Sequence, residues 1–185
     1  MVYGSDFDEY GGDAVKAQEW LFGAVEGERA SAGAGGRTAA ALAAAGLGAA
    51  AALHAVWTFS PWPLGSRAEL ATVVVGTDES RLPSGPATAA VAGLLGVAAW
   101  LVVTAARPQS PLGSSRLVRS GVWTVSGVLA LRGAGGAVVS GLGLGNAPAE
   151  FRHWDLALYS PLCLALGGLS GYVAARTRRR GRRPS

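Results

Sequence analysis

Four stretches of this chain, Thr38 to Trp57, Ala87 to Ala106, Ser120 to Val139 and Asp155 to Ala175, run for about 20 residues each with almost no charge. At 1.5 Å per residue, 20 residues of helix cover about 30 Å, one hydrocarbon thickness of a bilayer. The departures are Arg132 inside the third stretch and Asp155 at the start of the fourth. A backbone crossing lipid must satisfy its own hydrogen bonds, so runs of this length and spacing are read as helices. Only 15% of the residues are charged, against about 25% in soluble domains. The chain is therefore predicted to be all-α, a four-helix transmembrane bundle seated in the lipid bilayer.

The spans are rich in alanine and glycine. Small residues let helices approach closely in lipid, and Gly167 and Gly171 stand at GxxxG spacing as a contact face. Such Gly-rich faces also allow a homo-oligomer. Pro161 predicts a bend in span four, and Gly133, Gly135 and Gly136 predict an irregular helix beyond Arg132.

Between spans one and two, Pro61 and Pro63 stop the first helix. Ser66 and Glu69 then stand at capping-box spacing, and Gly76 is a natural helix stop. A short interfacial helix is expected over Arg67 to Val75. The Gly-rich linker Ser140 to Ala149 follows no strand, which excludes a phosphate-binding loop.

Three parts follow from this division. Residues 1–36 are acidic and Gly-rich, and are expected to be a disordered cytoplasmic tail, with a short amphipathic helix over Asp13 to Val25 as the alternative. Residues 37–176 form the membrane domain, and residues 177–185 a basic tail. The N-terminus has no basic n-region and its apolar run starts late, unlike a signal peptide. The loop carrying Arg107, Arg116 and Arg119 and the C-terminal run Arg176 to Arg183 contain no acid. The positive-inside rule then puts both termini in the cytoplasm of a multi-pass cell-membrane protein. It also accounts for the basic pI of 9.8 without nucleic acid.

Depth brings polar groups together at the outer side. His54 lies three residues below the end of span one, about 5 Å down, with Trp57 on the same face. Tyr159 lies about 6 Å into span four, and Arg132 about 10 Å from the outer end of span three, with a side chain long enough to reach upward. Asp155, Glu150 and Glu69 are candidate counter-ions, Asp155 first. The candidate polar pocket is thus His54, Trp57, Glu69, Arg132, Asp155 and Tyr159. Structural alternatives stand beside it. Arg132 snorkels or is stapled to one carboxylate, His54 bonds a backbone carbonyl, and Trp57, Trp62, Trp123, Trp154 and Tyr159 form an interfacial aromatic belt. Two histidines with scattered carboxylates match no metal-ligand spacing. The lone Cys163 excludes an internal disulfide and is read as a packing residue.

The segments LHAVWTFSPWPLGSRAELATVVVG, LALRGAGG and FRHWDLALYSPLCLALG, within roughly Thr38 to Ala175, together resemble a family of small bacterial membrane proteins. It is catalogued as a domain of unknown function, numbered thirty-nine ninety-five. The resemblance implies four spans and assigns no activity, cofactor or catalytic residue. Two functional classes stay open. One is a binding or accessory protein whose pocket takes a lipid or small apolar ligand. The other is a membrane-embedded enzyme, with His54 moving a proton and Arg132 holding an anionic or carbonyl oxygen.

Overall fold

The computed structural model describes residues 7–107, 111–113 and 115–180. It contains no strand among them, and its elements are all helical. Arg182 and Arg183 of the basic run lie outside the described residues.

The chain divides into two units, Met1–Gly36 and Arg37–Ser185. The first is helical from Phe7, as part of helix α1 (Phe7–Trp57), with Trp20 and Phe22 exposed. Composition reads this segment as a disordered tail or a short helix over Asp13 to Val25, and helix formers such as Ala14, Lys16, Ala17, Gln18 and Glu19, with no proline among them, suit the helix.

The second unit is a helical bundle. Four helices are long and apolar enough to cross a membrane: Ala34–Trp57, Gly85–Ala106, Arg116–Leu142 and Ala149–Arg176. Their outward residues include Leu42, Leu94, Val97, Leu117, Leu131 and Leu142, all exposed. A soluble protein would cover apolar surface on that scale.

Helix α2 (Arg67–Leu70) and a widened π-turn (Ala71–Val75) occupy the interval where a short helix was expected. Ser66 Oγ accepts from the Glu69 amide at 3.1 Å, and Glu69 Oε2 accepts from the Gly65 amide at 2.8 Å. Gly76 ends the element in the left-handed region at φ 78°. Helix α3 (Gly85–Ala106) is capped by Ser84 and stops at Arg107, which precedes a proline and takes an extended conformation.

Helix α4 (Arg116–Leu142) starts four residues earlier and ends three residues later than the charge-free run. Ser115 caps it, accepting from the Val118 amide at 3.1 Å. Arg116 and Arg119 mark where apolar sequence ends, but the helix continues through them. Ser140 is therefore helical and buried, not part of a linker.

The fourth span begins at Ala149 instead of Asp155. Helix α5 (Ala149–Trp154) leads into a π-turn (Asp155–Tyr159) and then helix α6 (Ser160–Arg180). Pro161 explains the widened turn. It has no N–H to donate to the Ala157 carbonyl, and its ring needs room there.

At one end of the bundle, Ala39, Ala43, Leu47, Val102, Val122, Leu166, Val173 and Ala174 make an apolar core. Helices α4 and α6 lie close along the expected glycine face. A Cβ on Gly167 would sit 3.2 Å from the backbone of Ala130 and Ser126, and Ser126 Oγ donates to the Gly167 carbonyl at 2.8 Å. That face is thus occupied within the chain.

Candidate functional site

Arg132, Gly136 and Ser140 follow one another at intervals of four, so they form one row along α4. The Asp155 π-turn of span four packs onto this row. Arg132 Nη2 donates to Asp155 Oδ1 at 2.8 Å, and Ser140 Oγ donates to Oδ2 at 2.6 Å. Gly136, between them, makes this possible. A Cβ there would collide with the Arg132 guanidinium, with Ser160 Oγ at 2.5 Å and with Asp155 Oδ2 at 2.9 Å. A row whose middle member has no side chain is a slot for a carboxylate.

The ion pair expected from depth therefore forms, with the two carboxylate oxygens shared between Arg132 and Ser140. Asp155 is fully buried, while the Arg132 side chain is 43% exposed. The unequal burial follows from where the helix starts. Asp155 lies well inside the fourth span and not at its mouth, so its carboxylate is enclosed while the guanidinium extends outward.

The exposed side of Arg132 borders a cavity of about 300 Å³. His54 and Trp57 of α1 line it too, with Arg67, Leu70, Val74 and Val75 of α2 and its π-turn, Thr88 and Val91 of α3, and Phe151 of α5. His54 Nδ1 lies 2.8 Å from the Ala50 carbonyl. A carbonyl only accepts, so Nδ1 carries the hydrogen. In the neutral ring, Nε2 is then left with a lone pair. The His54 and Trp57 rings are 5.1 Å apart, and Trp57 Nε1 donates to the Trp62 carbonyl at 3.1 Å, which fixes the indole.

Three of the six expected pocket residues, His54, Trp57 and Arg132, thus share one cavity. The other three have other positions. Glu69 closes the α2 cap, because its carboxylate is taken by the Gly65 amide. Asp155 is behind Arg132. Tyr159 donates its hydroxyl to the Val73 carbonyl at 3.4 Å, joining the two π-turns. Among the aromatics read as a belt, Trp62, Trp123 and Trp154 are exposed. His153 is exposed as well, with its ring edge-on to Trp154.

Arg67, Phe151, Ser140 and Arg152 are not among the expected pocket residues. Arg152 Nε donates to the Ser140 carbonyl at 3.0 Å, so a cation sits on the last turn of α4, where the helix dipole favours it. Phe151 packs over Gly76, where a Cβ would stand 2.7 Å from its ring. For Ser140, the spacing of four from Arg132 and Gly136 was the available signal. Among the described residues, no cluster of His, Cys, Asp or Glu could hold a metal ion.

A family model described as a protein of unknown function, DUF3995, matches residues 47–170. That interval contains the whole Arg132–Asp155–Ser140 cluster and every residue named above as lining the cavity. Comparison with curated proteins and with solved structures gave no match.

Proposed function

The chain belongs to the DUF3995 family, proteins of unknown function, and on that premise we propose that it is a membrane binding or accessory protein whose cavity receives a lipid or small apolar ligand. The observation that carries this reading is the convergence of His54, Trp57, Arg67 and Arg132 on one cavity whose remaining wall, Thr88 apart, is apolar. Binding sites are commonly apolar hollows with a few polar groups that orient the ligand. The arginine asymmetry supports a multi-pass orientation with both termini in the cytoplasm and the cavity toward the outer leaflet.

A second reading is favoured by one specific feature. His54, whose Nε2 holds the lone pair when the ring is neutral, and Arg132 line the same cavity, as a proton-transfer enzyme acting on a lipid-soluble carbonyl compound would require.

The test is purification of the full chain in mild detergent, followed by mass spectrometry of co-purified small molecules. A stoichiometric apolar or amphiphilic compound is expected with wild type. It should be lost in Val91→Trp, which fills the cavity mouth. A folded wild-type protein carrying no such compound would remove the ligand-binding reading. Orientation is tested by reporter fusions. A fusion after Arg183 should report cytoplasm and one at Asp78 the outer side. A cytoplasmic signal at Asp78 would reverse the assignment.

A further inference from the structure

We infer that the ligand of this cavity is an anionic amphiphile, with one phosphate or carboxylate head held by Arg67 and Arg132 and its tail leaving past Val75 and Val91. This rests on the cavity reading above and adds the charge and shape of what fills it.

The lining has two guanidiniums and a histidine but no carboxylate. Of the nearest carboxylates, one offsets Arg132 and the other is bonded away from Arg67. Asp155 is buried and shared between Arg132 and Ser140. Glu69, on the same short helix as Arg67, is bonded to the Gly65 amide. Among the described residues, no carboxylate comes within ion-pairing distance of Arg67, which is exposed. Arg132 binds Asp155 through a single Nη2 contact, leaving donors of its fork for a second acceptor. Asp155 offsets the charge of Arg132, so the lining keeps the uncompensated charge of Arg67, which an anion bound by Arg67 and the free donors of Arg132 would balance. Phosphate and carboxylate oxygens are the groups that match a guanidinium fork.

The walls define the other half of the ligand. Leu70, Val74, Val75, Leu82, Val91 and Phe151 are apolar. Val75 and Val91 belong both to this wall and to the exposed apolar surface of the protein, so the hollow opens sideways onto the surface that meets lipid. A volume of about 300 Å³ is at the small end for ligand sites. It takes a head group and the start of one chain, not a whole two-chain lipid.

The test uses the full chain in nanodiscs of zwitterionic lipid, with empty discs as the blank for partitioning. Dodecyl phosphate, dodecanoate, dodecanol and inorganic phosphate are titrated while the heat of binding is followed by calorimetry. Both anionic amphiphiles should bind about tenfold or more tighter than dodecanol, a ratio that one charge-assisted contact supplies. Arg67→Gln should cut that preference several-fold while the thermal midpoint stays as in wild type, since Arg67 is exposed. Equal binding of dodecanol and the anions would overturn the charge assignment while leaving the cavity reading intact. Inorganic phosphate binding as tightly as dodecyl phosphate would make the ligand a free anion and overturn the amphiphile. Arg67→Gln that keeps the full preference would remove Arg67 from the site. Binding of none of the four probes would overturn the cavity reading itself.

Discussion

The two ends of the bundle use the same pair of helices in opposite ways. Toward the start of α4, its contact with α6 is a small-residue seam. Gly167 and Gly171 lie against Ser126, and the surrounding core is Val122, Leu166, Val173 and Ala174. Toward the end of α4, the buried groups at the contact are Asp155, Ser140 and Ser160, and a cavity opens beside them. Both ends depend on glycine. At the seam glycine lets two backbones touch, whereas at Gly136 it makes room for a charged side chain. A bundle held only for stability would repeat the seam. Burying the carboxylate of an ion pair is a poor route to stability, because its desolvation offsets most of the attraction. A charged slot beside a cavity is what a site needs.

The largest test of this contrast is volume at Gly136. Gly136→Leu should expel the Asp155 carboxylate and leave it without partners, costing about 3 kcal/mol or more in detergent unfolding, as overpacking and a broken buried pair combine. Gly93→Ala and Gly127→Ala, at glycines with nothing within 4 Å, should be close to neutral. Equal effects at all three positions would mean that the slot is unimportant.

Next comes the pair itself. Asp155→Asn and Arg132→Gln should each destabilise, and the double change should cost less than the sum, with a coupling of about 1–3 kcal/mol in a double-mutant cycle. Arg132→Lys should also destabilise, because a lysine ammonium is a point charge without the planar fork. Strict additivity would show that the 2.8 Å contact carries no energy.

Much of this arrangement was readable in advance, and the failures share a cause. The charge-free runs marked four spans. Reach and depth chose Asp155 over Glu69 as the partner of Arg132. Ser66, Glu69 and Gly76 marked the bounds of the short helix between spans one and two. What could not be read was helix continuation through glycine. On propensities measured in water, Gly133, Gly135 and Gly136 read as irregular and Ser140 to Ala149 as a linker. In lipid an unbonded backbone is costlier than a glycine in a helix, so α4 continues and carries Ser140 into the core. Likewise Glu69 was offered as a pocket residue because it is charged and nearby. Capping-box spacing already assigned its carboxylate elsewhere, and only one of those two roles could be filled. The π-turns left no pattern in the sequence beyond Pro161.

A smaller effect separates the two ends through one residue type. Ser126 and Ser140 are both buried serines of α4 that reach toward the fourth span. Ser126 donates to a backbone carbonyl and Ser140 to a carboxylate. Ser126→Ala should cost about 1 kcal/mol and Ser140→Ala about 2 kcal/mol, the usual difference between neutral and charged acceptors. The reverse order in thermal unfolding would place the strain of the α4 contact at the seam and not at the slot.

The smallest expected change in stability is also the most informative about how the cavity is held. Tyr159→Phe removes a hydrogen bond that is long, at 3.4 Å, and should cost less than about 1 kcal/mol. That bond nevertheless joins the π-turn carrying Asp155 to the π-turn carrying Val74 and Val75, two residues of the cavity wall. Removing it frees one side of that wall without disturbing Arg132 or Asp155. Amide exchange over Ala71 to Gly76 should therefore quicken while exchange in α4 and α6 stays as in wild type, since local opening reports on local contacts and not on global stability. Unchanged exchange over Ala71 to Gly76 would assign the wall to a neighbouring contact, Phe151 of α5 over Gly76. In that case Phe151→Ala should loosen the same amides, and the cavity would be shaped by apolar packing alone.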